Sequence, residues 1–212
     1  MGMKARSSIS KAGSRAEWIE DELISVPRYS PEEPAQSSPF TIDVATGGTL
    51  FKPAKVYYTT DGTDPRQTGG EPSTAAKLLG KDIVLTQSSR VMARRLDNDY
   101  QPDRWGPNLQ WSGPANQYFF VDTVPASAAN VVISEIMYHP SAPSEAEIAA
   151  TFDDADDFEY IELRNISNGR VDLSESRLRG DADFNFPDGT VLEPGEHAVV
   201  VANQAAFLMR YG

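Results

Sequence analysis

The stretch at residues 153–165, DDADDFEYIELRN, places five carboxylates in seven positions and then continues as a β-strand. In the strand, Ile161 and Leu163 fall on one face and polar residues on the other, because successive side chains of a strand point to opposite sides. This alternation predicts a strand with one buried face. The acidic residues ahead of it are a candidate calcium site, a candidate catalytic acid pair or a solvated loop: Asp153, Asp154, Asp156, Asp157 and Glu159.

The chemistry of these carboxylates favours the solvated loop. A calcium loop needs regularly spaced oxygen ligands and a glycine at its bend, and the acidic run has neither. A glycosidase pair needs two carboxylates across a cleft, in environments that separate their pKa values, which adjacent loop residues do not offer. A weak surface calcium site remains the alternative.

Composition excludes several other functions. The 212 residues include no cysteine, so disulfides, thiol chemistry and cysteine-based zinc sites are ruled out. The net charge of −12 is uneven, since residues 126–212 carry 5 arginines, no lysine and 16 acidic residues, a net of −11. Such a surface repels phosphate backbones and anionic lipid, so we expect no nucleic-acid partner. No apolar run is long enough for a membrane span.

Catalytic motifs are not found in the sequence. His139 and His197 are the only histidines and lie far apart, which favours surface or packing roles. There is no G-x-S-x-G elbow, phosphate-binding loop or dinucleotide glycine pattern. Asp61 and Asp64, in the turn DGTDP, are expected to accept hydrogen bonds from backbone N–H groups, with calcium or sugar contact as the alternative.

Short β-strands separated by turns dominate the rest of the pattern. FTIDVA at 40–45 alternates, and Val91 and Ala93 share one face of SRVMARRL. A Gln-Ser step between KDIVLT and that strand predicts a hairpin. Short helices are predicted at SRAEWIEDEL (14–23), at 144–152 from a capping box, and after the N-cap Asn203.

Two tryptophans bracket a loop rich in proline and glycine. Trp105 and Trp111 flank GPNLQ, and exposed indole rings can stack on sugar faces. The pair is therefore a candidate sugar platform. The alternative is that one or both rings fill the interior of the fold.

Two stretches of the first half resemble a known family. VYYTTDGTDPR at 56–66 and GKDIVLTQSSRVMARRLD at 80–97 are similar to the chitobiase/β-hexosaminidase C-terminal-type domain. That resemblance implies a small immunoglobulin-like or fibronectin-III-like sandwich, of a kind that accompanies carbohydrate-active and cell-surface proteins.

The second half resembles the lamin tail domain in its bacterial form. The resemblance rests on VVISEIMYHP, DDFEYIELRNISNGRVDLS and FNFPDGTVLEPGEHAVVVAN. It implies an immunoglobulin-like sandwich without catalytic residues. Because the family continues with further strands, the second sandwich is expected to be incomplete and the chain a fragment. The module order resembles large bacterial surface proteins with an upstream kinase domain similar to spore coat protein H.

Together these observations predict an all-β chain of two immunoglobulin-like sandwiches in tandem, the second incomplete, with a short N-terminal helix. The expected divisions are 1–26, the first sandwich at 27–122, a linker at 123–130 and the second sandwich at 131–212.

The expected function is that of a non-catalytic structural or binding segment of a secreted or cell-surface bacterial protein. Its role would be adhesion, spacing or presentation of a neighbouring domain. Alternatives are a carbohydrate-binding module and an accessory fragment of an upstream kinase-like or hydrolytic enzyme. Expected partners are other domains of the polypeptide, surface proteins or glycans, with no cofactor beyond the candidate calcium ion. MGMKARSSIS is not a signal peptide, so an extracellular location presumes an export signal further upstream.

Overall fold

The computed structural model describes most of the chain, in five stretches: 24–31, 35–45, 55–97, 110–180 and 182–212. The helix predicted at 14–23 lies outside them. Within the described residues the fold is all-β, as predicted, and the helices are two short α-helices, α1 (Glu145–Ala149) and α2 (Gln204–Tyr211), and a 3₁₀ turn at Ala155–Phe158.

Sixteen short strands are present in these stretches. They are β1 Arg28–Ser30, β2 Ala35–Gln36, β3 Phe40–Ala45, β4 Lys55–Thr59, β5 Lys77–Leu78, β6 Asp82–Leu85, β7 Ser89–Leu96, β8 Ala115–Val121, β9 Val124–Pro125, β10 Val131–Met137, β11 Tyr160–Asn165, β12 Val171–Asp172, β13 Arg177–Leu178, β14 Phe184–Asn185, β15 Val191–Leu192 and β16 His197–Val201.

The chain divides into two compact units. Among the described residues, the first unit takes those up to Pro31 and those within Ile42–Ile83 and Val91–Gln117, and the second takes those within Glu32–Thr41, Val84–Arg90 and Tyr118–Gly212. The segment 123–130, predicted as a linker, contains β9, which pairs in parallel with β12. The domain boundaries proposed from the sequence stay a prediction.

Alternation along the strands builds the interior of the first unit. Ile42 and Val44 of β3 are buried while their neighbours are exposed, as the pattern of FTIDVA predicts. In β7, Val91 and Ala93 are buried on one face, which is also confirmed. Burying these apolar side chains is the main favourable term for a sheet of this size.

The hairpin predicted at the Gln-Ser step is wrong. Strand β6 belongs to the sheet β1-β3-β6, whereas β7 belongs to the five-stranded sheet β2-β8-β7-β4-β5. Ser88 explains the difference, because its hydroxyl accepts a hydrogen bond from Val121 N at 3.0 Å and contacts Thr123 Oγ1 at 3.1 Å. Because of these hydrogen bonds to distant residues, the chain passes from one sheet to another at the Gln-Ser step. A short sequence pattern does not specify such bonds.

Three sheets lie wholly within the described part of the second unit: β10-β11-β16, β15-β12-β9 and the hairpin β13-β14. The middle strand β11 pairs antiparallel with both of its neighbours. Its inward side chain Leu163 packs in an apolar core against residues of the other layer. The other buried members of this core are Val171, Leu173, Phe186 and Leu192.

Asn165, the last residue of β11, is a fully buried polar hub. Its Nδ2 donates hydrogen bonds to the carbonyls of Gly169, Leu192 and Glu193 at 2.8, 3.0 and 3.1 Å. Its Oδ1 accepts from Ser167 N at 2.9 Å. One amide thereby closes the following turn and ties it to β15, which satisfies polar groups that burial would otherwise make costly.

Replacing this amide by a carboxylate tests the hub. We expect Asn165→Asp to lower the free energy of unfolding by roughly 3 kcal/mol or more, because it removes the N–H donors and places charge against carbonyl oxygens. Urea unfolding measures the loss. The matched control is Asn185→Asp, on an exposed residue whose side-chain oxygen accepts from Arg179. Equal stabilities of the two variants would contradict the assigned role.

Helices α1 and α2 are joined by a largely buried ion pair. Glu147 forms the predicted capping box with Ser144, whose backbone N donates to its Oε2 at 2.6 Å. The same carboxylate accepts two bonds from Arg210, at 2.7 and 2.9 Å. The Arg210 guanidinium stacks 3.3 Å from the centre of the buried Phe158 ring. The predicted N-cap Asn203 starts α2 by accepting from Ala205 N and Ala206 N.

Because of this ion pair, we expect the stability of the fold to fall with pH in a specific acidic range. Hydrogen bonds from Arg210, then from Ser144, lower the pKa of Glu147 from 4.5 to about 2. A folded-state pKa below the unfolded one gives stability that is present above about pH 4.5 and lost as the pH falls toward 2. We expect Glu147→Gln to lower Tm at neutral pH and to flatten the fall of Tm across this window.

Calorimetric unfolding as a function of pH makes the measurement. Glu145→Gln is the control, because Glu145 lies on the same helix with an exposed side chain. A Glu147→Gln variant whose Tm falls with acid as steeply as that of the parent would show that the pair does not carry this dependence.

Candidate functional site: an apolar groove

A bulge in β10 determines which side chains reach the interior of the second unit. Ile133 lies opposite Leu163, but Ile136 lies opposite Ile161, with a register shift between Ile133 and Glu135. Residues three apart in a regular strand face opposite sides, whereas the extra residue of a bulge puts them on the same side. Both isoleucines therefore share the inner face with Leu163.

This inner face is covered at one end and open at the other. Toward Leu163 it is covered by the apolar core, whereas Ile133 and Ile136 remain 51% and 53% exposed. The open end is a groove of about 540 Å³. We call it the apolar groove, and its floor is formed by Ile133, Ile136, Ile161 and Val200.

The hairpin β13-β14 forms the wall of the apolar groove. Leu178 and Phe184 line it on this side, and Phe184 is held edge-to-face against Phe186 with ring centres 5.0 Å apart. Leu178 also packs against the core. The groove thus continues the space between the two layers of the unit, and it is mainly apolar.

Three charged residues line the groove. Arg179 of the wall forms an ion pair with Asp183 and donates to Asn185 Oδ1 at 2.9 Å. Glu159 precedes β11 on the floor side, and its backbone oxygen accepts from Ala202 N. Within the described part of the chain the Glu159 carboxylate makes no ion pair. The groove therefore carries one unneutralised negative charge at its edge.

The opposite face of the same sheet carries an aromatic cluster. Tyr160 contacts Phe207 and Tyr211 edge-to-face, with ring centres 5.4 Å apart in each case. The Tyr160 hydroxyl donates to Glu135 Oε1 at 2.6 Å, and this hydrogen bond to a carboxylate, with burial, raises the pKa of Tyr160 to about 12. The cluster attaches α2 to the sheet, and Tyr160 also contributes to the lining of the groove.

The acidic run has mainly capping roles in the structure. Asp154 accepts from Asp156 N at 3.1 Å as the N-cap of the 3₁₀ turn, and Asp157 accepts from Asn203 Nδ2 at 3.2 Å. Asp153 is exposed. Among the residues described, no three Asp, Glu or His side chains lie close enough together to hold a metal ion. The calcium site on these five residues stays a prediction, without a preformed cluster.

Calcium titration tests this arrangement. Because the five carboxylates do not converge, we expect millimolar calcium to leave Tm unchanged in calorimetric unfolding. A ligand that binds only the native state raises Tm in proportion to its occupancy. A calcium-dependent rise that is lost in Asp154→Asn would establish the weak site instead, and magnesium at the same ionic strength is the control.

Only one residue of the predicted sugar platform can be located. Trp105 lies outside the described residues. Trp111 is only 7% exposed, its indole N–H donates to Gly70 O at 2.6 Å, and its ring lies 5.7 Å from that of Tyr57. Trp111 therefore has the packing role that the sequence analysis gave as the alternative to a sugar platform. The platform formed by the pair stays a prediction.

The turn at Asp61 has the geometry expected of it. Asp61 Oδ1 accepts from Thr63 Oγ1 at 2.6 Å and from Thr63 N at 3.0 Å, and these bonds lower the pKa of its carboxyl. Asp64 accepts from Arg66 N at 2.9 Å and also from Nε and Nη2 of Arg94, at 2.8 and 2.7 Å. The backbone-bonding role predicted for both residues is confirmed.

The two histidines lie on the surface. His139 is exposed beside Pro140, and His197 is exposed with its Nε2 3.8 Å from Glu162 Oε1. Both belong to the second unit, where His139 follows the end of β10 and His197 begins β16.

A buried polar cluster in the second unit was not singled out by sequence. Asp172 is fully buried, and its carboxylate accepts from Tyr118 Oη at 3.1 Å and from Ser174 N at 2.9 Å. Ser174 Oγ in turn accepts from Gly189 N at 2.8 Å. Arg90 lies over the Tyr118 ring and forms ion pairs with carboxylates of the neighbouring loops. Because these groups satisfy one another, the cluster organises the loops around β12.

The strands and sheets of the second unit agree with an immunoglobulin-like class of β domain. Residues 124–209 match the family model described as the lamin tail domain. That domain type is immunoglobulin-like and non-enzymatic, which agrees with the predicted fold of this half. A search of curated proteins and a search of solved structures each gave no match. None of the described helices has the length and apolarity needed to traverse a bilayer.

Proposed function

We propose that the chain is a non-catalytic binding segment of a secreted or cell-surface bacterial protein, in which the apolar groove is the binding site. The observation that carries this proposal is the groove itself, with two isoleucines half-exposed on the inner face of a sheet. Exposed contiguous apolar surface with a polar rim is typical of interaction sites. The lamin tail match at 124–209 supports the non-catalytic part.

The wider context belongs to the same proposal. The resemblance of residues 27–122 to the chitobiase-type domain supports a surface role in adhesion, spacing or presentation of a neighbouring domain. The bacterial setting and the extracellular location rest on these resemblances.

Binding of a neutral apolar dye tests the groove. Nile red is expected to bind the parent protein and to bind Ile136→Asp about tenfold more weakly, because burial of an Ile side chain contributes about 1.5–3 kcal/mol. The control is Ile166→Asp, since Ile166 is 52% exposed, nearly as much as Ile136, but does not line the groove. Fluorescence titration measures both affinities, and circular dichroism checks that both variants are folded.

The proposal depends on a difference between these variants. If Ile136→Asp and Ile166→Asp bind Nile red as the parent does, the groove is not the apolar binding site of the chain. If both lose binding equally while folded, the dye reports general surface hydrophobicity and the groove loses its support.

A further inference from the structure

We propose that the occupant of the apolar groove is an extended peptide segment of a partner, apolar at alternate positions and flanked by Lys or Arg. This inference rests on the proposed function and adds the chemistry of the partner. Three features support it: the layered geometry of the groove, the spacing of its floor residues and the charge around it.

The geometry of the groove favours an extended occupant. The wall hairpin β13-β14 packs against the same core as the floor sheet, because Leu178 contacts the core that includes Leu163. Packed sheets lie about 10 Å apart, a gap filled by one set of interdigitating side chains from each layer. A segment placed beside the hairpin at the same level would continue that layer. An extended segment fits such a space, as in other complexes where a peptide adds to a β-layer.

The floor presents apolar side chains across three neighbouring strands. Ile136, Ile161 and Val200 lie side by side in register on β10, β11 and β16. Strands are about 4.8 Å apart, so these three side chains span roughly 10 Å. An extended chain crossing or following them can place every second side chain on the floor, since its side chains alternate at about 6.8 Å. Alternate apolar residues in the occupant are the matching pattern.

The charge around the groove favours a basic peptide segment as the occupant and disfavours a second copy of the chain. Residues 126–212 carry a net charge of −11, and Glu159 at the edge of the groove makes no ion pair among the described residues. A second copy carries −12 and would be repelled. Lys or Arg on either side of the apolar stretch would be attracted both to Glu159 and to the general field of this half.

Synthetic peptides of about nine residues test the inference, the length being that of a long strand. The first peptide alternates Val and Thr between pairs of Lys; the second has Glu in place of Lys; the third has Thr in place of Val. Fluorescence anisotropy measures binding to the full chain. We expect the first to bind, the second to bind at least tenfold more weakly and the third not to bind.

Variants of the chain separate the two contributions. Ile136→Asp is expected to abolish binding of the Lys-flanked peptide, and Ile166→Asp to leave it unchanged. Glu159→Gln is expected to weaken binding severalfold and to reduce its dependence on salt, because it removes a charge at the groove. Glu145→Gln, an exposed change of equal charge on α1, is the control and should have a smaller effect.

These experiments distinguish failure of the peptide inference from failure of the proposed function. If the Lys- and Glu-flanked peptides bind equally and Ile136→Asp abolishes both, the groove stands and the charge inference is overturned. If Nile red binds the groove but none of these peptides does, or an amphipathic helical peptide binds better, the extended occupant is overturned. If the chain dimerises in sedimentation equilibrium and Ile136→Asp prevents it, a second copy is the occupant. If neither dye nor peptide depends on Ile136, the proposed function itself fails.

Discussion

The register of β11 between β10 and β16 is the constraint on which the second unit depends. A slip of one residue would exchange the two faces of a strand, sending Leu163 outward and Glu162 into the core. Asn165 holds this register from the end of the strand, because its amide must meet carbonyls of the following turn and of β15 at once. With β11 fixed, the ladder to β16 places Ala198 and Val200 on the inner face as well. The alignment of β11 therefore determines where the apolar core, the apolar groove and the aromatic cluster lie.

Much of the local structure could be predicted from the sequence, because it depends on neighbours in the chain. The alternation of β3 and β7, the capping box at Ser144 and the N-cap Asn203 each involve contacts within a few residues. Such contacts are encoded in short patterns and were predicted correctly. The combination of motifs in the second half was specific enough to indicate the lamin tail domain, which the family model matches at 124–209.

Non-local contacts account for what the sequence did not reveal. The chain after β6 changes sheets because Ser88 bonds to Val121, a residue far along the chain, so a turn-like dipeptide was mistaken for a hairpin. The groove was hidden for a similar reason. Ile133 and Ile136 are three apart, a spacing that does not suggest one face of a strand, and only the bulge between them brings both to the floor.

The distribution of charge in the second half bears both on self-association and on the proposed binding. An exposed apolar floor beside edge strands is ordinarily a risk for aggregation, since it can pair with any similar surface. Acidic residues of the second unit serve local purposes: Asp154 caps a turn, Glu147 binds Arg210, and Asp183 pairs with Arg179. Their sum is nevertheless a strongly negative half, which opposes self-association of like surfaces and leaves attraction for cationic ones. Under the proposed function, the groove would select its partner without any catalytic group, because these charges oppose like-charged surfaces and attract cationic ones.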